Sequence, residues 1–349
     1  MANREQKIEK VFTGTTNANL VHEAILFIES TNSDFSYQTS YGKKDLSSPL
    51  LMASITKLFT TTCILALSEQ GRLSLDDRLT KYFDTSILTG LHVYDRKEYS
   101  FDLTISDLLF QVSGLPDSFE DGGTVTTSAM GNAIIQKDEY PTFDAIVAET
   151  KGLKPRFIPR TPSKAYYANI NFDLLGEIIE KVTQLSLSDA YTQFIFQPLS
   201  LHNTYLPTSE SDFVPNVYYK DECLHRPQLI MSCRASGGCI TTARELMVFI
   251  KAFWSGKLFN KSIFKDLSVY RKIQTSKGPI NYGGGYMQIP LSGATTLFMG
   301  KGELLGHSGS TGSFAFYYPT KDLYIVGDLN QMANPALPIR LVMRLAMSI

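Results

Sequence analysis

The chain has few of the residues that build metal or disulfide frameworks: four cysteines and five histidines in 349 residues. Cys63, Cys223, Cys233 and Cys239 form no C-x-x-C pair, and no histidine stands at zinc-finger spacing. They are expected to be reduced thiols acting as small hydrophobes, with a Cys233–Cys239 disulfide allowed but not demanded. H-E-x-x-H is missing, which disfavours a zinc hydrolase. G-x-S-x-G is missing too, which disfavours the nucleophile elbow of an α/β-hydrolase. No apolar run approaches the ~20 residues of a membrane span. The polar start, Met1-Ala2-Asn3-Arg4-Glu5-Gln6-Lys7, leads into no signal-type apolar segment. A cytoplasmic chain with no membrane span is expected. A formal net charge of −1 offers nothing to nucleic acid. Gly283-Gly284-Gly285 lacks the G-K-[ST] ending of a phosphate loop and is expected to be a loop beside a cleft.

What is present is an ordinary folding composition, 43% hydrophobic and 19% charged, in a chain long enough for one large domain or two subdomains. A helix is expected within residues 5–23. Ala24-Ile25-Leu26-Phe27-Ile28 has the run of a buried strand, and Phe35 to Tyr41 alternates like a returning one. A long apolar helix follows Ser54 and stops near Gln70-Gly71. Residues 73–201 are mostly helical in pattern, with a strong helical period at Asp173-Leu174-Leu175-Gly176-Glu177-Ile178-Ile179. Residues 207–232 are loop-rich. Thr242 to Ile250 is a helix. Strand signals then dominate: Thr296-Leu297-Phe298-Met299, residues 304–308, 314–318 and 323–327, before an amphipathic helix at 339–347. The pattern predicts an α+β fold in which both chain ends share one antiparallel sheet and helices flank it. The sheet part would take residues 1–70 plus 233–349 and a mostly helical insertion residues 71–232, leaving a cleft between them.

The chemistry is concentrated at Ser54-Ile55-Thr56-Lys57. Residues three apart on a helix share a face. A serine hydroxyl is a poor nucleophile without a neighbouring base, and a partly desolvated lysine can be that base. Two later segments supply partners. In Tyr167-Ala168-Asn169 a tyrosine beside an ammonium can act as a base, and an asparagine can bond lysine and a substrate amide together. Gly306-His307-Ser308-Gly309-Ser310 has the look of an edge strand whose N–H groups could face a developing oxyanion.

These segments together resemble the serine β-lactamase and penicillin-binding-protein superfamily, with its S-x-x-K signature. The nearest branch is the class C β-lactamase group with its D-peptidase and esterase relatives. Tyr167-Ala168-Asn169 matches that branch's Y-x-N, and the run to Leu174-Leu175-Gly176 is similar to Y-S-N-x-x-Y-x-L-L-G. Ser113-Gly114-Leu115-Pro116 is similar to its T-S-G-L-P, and Ala235-Ser236-Gly237-Gly238 to its A-G-G-L segment. His307-Ser308-Gly309 matches the H-x-G variant of K-T-G. The likeness runs over residues 35–319 with all motifs in the family's order. It implies a β-lactamase/transpeptidase-like fold and a serine hydrolase that acts through an acyl-enzyme on an ester, amide or D-amino acid peptide, or on a β-lactam. The alternative is a penicillin-binding or sensor-like module that acylates or binds in the same cleft without efficient turnover. The resemblance further implies Ser54 as nucleophile, Lys57 as its proton partner and Tyr167 as base or shuttle. Asn169, His307 and Gly309 would orient the substrate, the N–H groups of Ser54 and Ser310 would form the oxyanion hole, and no metal or organic cofactor would be needed. Histidine at the motif lysine makes a fixed charge titratable, with an unperturbed pKa near ~6.5, which suits esters, amides or D-amino acid peptides better than β-lactams.

Overall fold

The apolar and alternating runs at the two ends of the chain close on each other. A computed structural model describes residues 2–121, 136–274, 279–296 and 300–349. Its main sheet contains β1 (Ala24–Ser30), β2 (Ser36–Tyr41), β3 (Arg271–Lys272), β4 (Asn281–Tyr282), β5 (Met287–Pro290), β6 (Glu303–Ser308), β7 (Ser313–Tyr318) and β8 (Leu323–Asp328). Their order is β2-β1-β8-β7-β6-β5-β4-β3, antiparallel throughout. The first hairpin therefore docks on the last strand, with Phe27 opposite Val326. β1, β6, β7 and β8 alternate little because both of their faces are covered, and all six residues of β8 are buried.

Two helical layers cover those faces. Successive strand residues point to opposite sides. Glu29, opposite Tyr324, bonds Lys251 of α4 (Ala243–Ser255), whereas Tyr37, opposite Ile28, bonds Glu9 of α1 (Ala2–Ala18). So α4 packs on one face. On the other, α1 lies against α5 (Leu337–Ser348), where Arg344 donates to Thr15 Oγ1. Beyond α4 stand α2 (Thr56–Glu69) and α3 (Asn169–Thr183). Helix α2 is buried from Thr56 to Leu67, so it is apolar all round rather than amphipathic. Its Phe59 meets Phe249, Phe196 and Tyr191 edge-on at 4.5, 5.4 and 5.8 Å between centroids. Phe59→Ala is expected to cost about 3–5 kcal/mol, read from chemical denaturation, because it removes a fully buried ring against which three other rings pack.

The structure corrects three expectations. Gly306-His307-Ser308 lies in an interior strand, β6, not an edge: β7 pairs one side and β5 the other. Pairing with β5 stops at Gly306–Met287, so only residues 307–308 are released on that side. Just before Met287 the chain turns through Gly283-Gly284-Gly285. Gly285, at φ +89°, brings its carbonyl to 3.2 Å from Thr61 Oγ1 of α2, where any Cβ would strike Thr61. Thr296, expected in a strand, ends a 3-10 turn at Gly293–Thr296, and Leu297-Phe298-Met299 lie outside the described residues. The segment read as loop, 207–232, carries a small ribbon, Val217–Tyr219 with Glu222–Leu224, and the helix Pro227–Ser232. Residues 73–201 hold short helices and a second ribbon at Val93–Tyr94 and Lys97–Glu98. All four cysteines are free thiols; Cys63 and Cys239 are buried as small hydrophobes, while Cys223 is exposed. Among the described residues no helix is long and apolar enough to cross a membrane.

Candidate active site

Ser54 sits at a sharp bend. The short strand Pro49–Leu51 pairs with Ile240–Thr242, then the chain passes through a 3-10 turn, Ala53–Ile55, into α2. Ala53 takes φ +44°, a left-handed value that is costly for a residue with a Cβ. The bend is clamped on both sides. Met52 N–H donates to Cys239 O at 2.9 Å, and Ser313 Oγ donates to Met52 O at 2.9 Å. The conformation that presents Ser54 is thus held by β7 and by the 239–242 segment, neither of them local in sequence.

Lys57 is fully buried, its stem among the apolar residues of α2. Its Nζ donates to Ser54 Oγ at 3.2 Å, to Asn169 Oδ1 at 2.7 Å and to Ser236 O at 2.6 Å. An ammonium has three N–H bonds, and three acceptors meet them. The Tyr167 ring lies 5.0 Å from the same nitrogen and the Phe172 ring 5.5 Å. The serine–lysine pair of one helix turn is therefore joined to the start of α3, 112 residues away.

That start is fixed through its backbone. Gln274 accepts from Tyr167 N–H at 2.8 Å and donates to Tyr167 O at 3.1 Å. Gln111 Oε1 accepts from Ala168 N–H at 3.0 Å and from Asn171 Nδ2 at 2.5 Å. Asp117 accepts from Asn169 N–H, and Ser113 Oγ donates to Asn171 Oδ1 at 2.7 Å. The 111–117 and 167–171 segments are zipped together, which aims the Asn169 side chain at Lys57.

His307 is fully buried, between Tyr167 and Tyr282, each ring 5.9 Å from it. Ser308 O, which can only accept, lies 2.8 Å from Nδ1, so Nδ1 carries the proton; Nε2 faces Tyr282 Oη at 3.4 Å. Burial, reinforced by the Lys57 charge, pushes the imidazole down to about 3, so it is neutral at any working pH. The unfolded chain binds a proton near pH 6.5 that the folded site refuses, so stability is full above 6.5 and is lost as pH falls from there toward 3. His307→Gln is expected to flatten that loss, measured as thermal midpoints at pH 4, 5.5 and 7.

Gly309 N–H donates to Ser313 O at 2.8 Å in the turn between β6 and β7. A Cβ on Gly309 would strike Ser313 Oγ, and would lie 2.7 Å from Met52 O and 2.9 Å from Ala53 Cβ. Only glycine lets this turn sit on the Ser54 bend. Ser310 and Ser54 then line one cavity of about 590 Å³, its open mouth included, with Asn169 and Ser236. Apolar walls from Leu51, Val217, Leu229, Ile230 and Met332 complete it.

The structure thus brings Ser54, Lys57 and Asn169 into hydrogen-bond contact, lays Tyr167 over Lys57 and sets Ser310 and Ser54 in the lining of one cavity. His307 touches Tyr167 and stays buried rather than lining that cavity. The sequence reading assigned no role to Ser236, Gln111 or Asp117. Ser236 contributes a main-chain carbonyl to Lys57, which leaves no side-chain signature in the sequence. Among the described residues no group of three His, Cys, Asp or Glu side chains could hold a metal ion.

The chain is 29% identical over 183 residues to Protein flp of Staphylococcus aureus (strain MW2), covering 51% of this chain and 32% of that one. It spans about a third of the length of that relative. It is 24% identical over 318 residues to a putative D-alanyl-D-alanine carboxypeptidase of Escherichia coli (strain K12), covering 81% of this chain and 69% of the other. D-amino acid amidase from Ochrobactrum anthropi SV3 superposes with a TM-score of 0.77 at 18% identity, over 98% of this chain and 100% of that one, which shows a shared fold. The Beta-lactamase family profile matches residues 37–345, and the chain belongs to that family.

Proposed function

We propose that the chain is a serine hydrolase that works through an acyl-enzyme on Ser54, with an ester, amide or D-amino acid peptide as substrate. The observation that carries this reading is the single nitrogen, Lys57 Nζ, bonded to Ser54 Oγ, Asn169 Oδ1 and Ser236 O beneath the Tyr167 ring. Ser54 Oγ attacks the substrate carbonyl while its proton passes to Tyr167 in its phenolate form, or to Lys57 once its ammonium has given up a proton, and then to the departing alcohol or amine. The carbonyl oxygen, now negative, lies between the N–H groups of Ser54 and Ser310. Water, deprotonated beside Tyr167, attacks the acyl carbon and restores Ser54 Oγ–H. Asn169 holds Lys57 and the substrate amide, and His307 orients Tyr167 from behind. Gly309 keeps the Ser310 turn against Ser54.

Two features favour esters, amides and D-amino acid peptides over β-lactams. The position of the motif lysine holds a neutral, buried imidazole, so no fixed cation stands there for a β-lactam carboxylate. The cavity wall beside Ser54 is largely apolar, with Arg226 also in its lining, and suits a hydrocarbon acyl group or side chain. The amidase and carboxypeptidase names of its relatives point to D-amino acid amides and peptides as members of this class. The test is a panel of a short nitrophenyl ester, a chromogenic cephalosporin and a D-alanine peptide, with Ser54→Ala beside the parent. Ser54-dependent turnover, strongest on the ester or the peptide, is expected. A stable adduct on Ser54 with no turnover would instead identify a penicillin-binding or sensor-like module.

A further inference from the structure

Asn169, Asp173 and Glu177 recur every four residues on α3 and so share one face, turned toward the 233–237 turn. Asp173, 9% exposed, lines a second cavity of about 640 Å³, its mouth included, and not the cavity of Ser54. The turn divides the two spaces: Ser236 and Gly237 line the first, Arg234 and Ala235 the second. Among the described residues no donor is in hydrogen-bond geometry to the Asp173 carboxylate, and no cation lies within ion-pair distance of it. The groups nearby are engaged elsewhere. The Ser236 hydroxyl donates to Cys233 O at 2.9 Å, Lys57 Nζ is met by Ser54, Asn169 and Ser236 O, and Arg234 by Glu177 and Glu180. A carboxylate taken this far out of water is costly unless a donor or a cation meets it.

The rest of the lining defines what could meet it. Phe143, Ile146 and Leu187 give apolar walls, and Tyr140, 47% exposed, stands at the mouth. Phe143 is braced from behind by Phe83, stacked on it at 6.4 Å between centroids. Arg234 lines the cavity too, but Glu177 and Glu180 take its two terminal nitrogens. Asp173, Glu177 and Glu180 thus stand around one guanidinium, and the local balance is negative. Lys57 and Asp117, which also act on Asp173, are of opposite sign and are held at Ser236 O and Asn169 N–H. The first turn of the helix Phe143–Gly152 reaches the cavity with roughly half a positive charge, partly met by Thr142 Oγ1, which accepts from Ala145 N–H at 3.3 Å. That is too little to make the cavity an anion site. A metal ion would lack ligands, since among the described residues no group of three His, Cys, Asp or Glu forms here. The chemistry that fits is an amphipathic cation, with N–H donors for Asp173 and a hydrocarbon body for the walls.

We propose that this cavity is a second binding site, separate from that of Ser54, for an organic ammonium ion with an aryl or alkyl body, held by the Asp173 carboxylate. It does not depend on the hydrolase reading, because binding is measured without turnover. The probe is 2-phenylethylammonium, with 2-phenylethanol as its uncharged control. Carboxyl carbon resonances of the 13C-aspartate-labelled protein are followed during titration, with Asp173 identified by its loss in Asp173→Asn. A dissociation constant of about 1 mM or lower is expected for a body of this size, and the alcohol is expected to bind at least about tenfold more weakly. Burial raises the Asp173 carboxyl to about 7, so below that pH the cation must displace a proton. Affinity is therefore expected to level off above about pH 8 and to fall about tenfold per unit below about pH 6, while the bound cation lowers the Asp173 midpoint by about one unit or more. Asp173→Asn keeps the shape and removes the charge. It is expected to weaken binding at pH 8 by about tenfold or more and to remove the pH dependence, with its thermal midpoint read alongside. An Asp173 resonance unmoved by about 20 mM cation, or an alcohol that binds the parent as tightly as the cation does, would overturn the proposal. So would a folded Asp173→Asn protein that binds the cation like the parent, since the ligand would then sit elsewhere, the apolar cavity of Ser54 included.

Discussion

Ser54→Ala is expected to lower kcat/KM on the responsive panel substrate by about 10⁴-fold or more while leaving the fold intact. The size follows from the chemistry. Without Oγ there is no atom to form the acyl-enzyme, and what survives is binding and the two proposed oxyanion donors, which can still polarise a carbonyl toward water. The stability cost is small for a reason visible in the site. Ser54 is half-buried, and the change deletes one 3.2 Å acceptor of Lys57, whose other two bonds, to Asn169 and Ser236, remain. The thermal midpoint should stay within about two degrees of the parent, since a surface-type substitution costs roughly half a kcal/mol. Intact-mass measurement after exposure to the ester should show an adduct on the parent and none on the variant. Parent-like turnover by a folded Ser54→Ala protein would refute the nucleophile assignment.

Gly309→Ala is expected to reduce kcat by about 10²–10³-fold, the loss seen when an oxyanion donor is displaced, with a much smaller change in KM. The added methyl has no room. It meets Ser313 Oγ, Met52 O and Ala53 Cβ, three groups that fix the Ser54 bend and the turn carrying Ser310. Relief requires the turn to lift from Met52–Ala53, which moves Ser310 away from the proposed oxyanion position beside Ser54. The apolar wall from Leu51, Val217, Leu229 and Ile230 is untouched, so ground-state binding persists. Steady-state kinetics separates the two parameters. A variant with parent kcat and raised KM would show that the turn binds substrate without stabilising the transition state. Of the two variants, Gly309→Ala is the one that should lose stability as well, by about 1–3 kcal/mol, because overpacking displaces backbone.

Local periodicity made several features legible. The Ser54–Lys57 spacing is a property of one helical turn and needs no tertiary information. The apolar run of α2 announced a buried helix, and the 3.6-residue period over residues 173–179 placed α3. The alternation of residues 35–41 and the apolar run of 24–28 announced the first hairpin. Strands Arg271–Lys272 and Asn281–Tyr282 escaped notice because two residues carry no periodicity. The position of His307 within the sheet escaped for another reason. Edge and interior strands share a side-chain pattern, and only pairing with Met287–Pro290 distinguishes them. The motif order pointed to Tyr167 and Asn169 as partners of Lys57, yet their contact depends on Gln111, Asp117 and Gln274, which bond backbone groups and belong to no local pattern.

The sequence by itself determined the local chemistry: a hydroxyl and an amine on one helix face, a tyrosine and asparagine at the head of another, and glycine where two segments must touch. These follow from bond geometry and side-chain type. Tertiary structure alone decided the charge states and the distances. Histidine at position 307 would titrate near neutrality in water; burial between two tyrosines, beside Lys57, keeps it neutral. Lys57 finds its three acceptors only because α2, α3 and the 233–237 turn converge on one buried nitrogen, and a buried ammonium is tolerated only where each N–H is met.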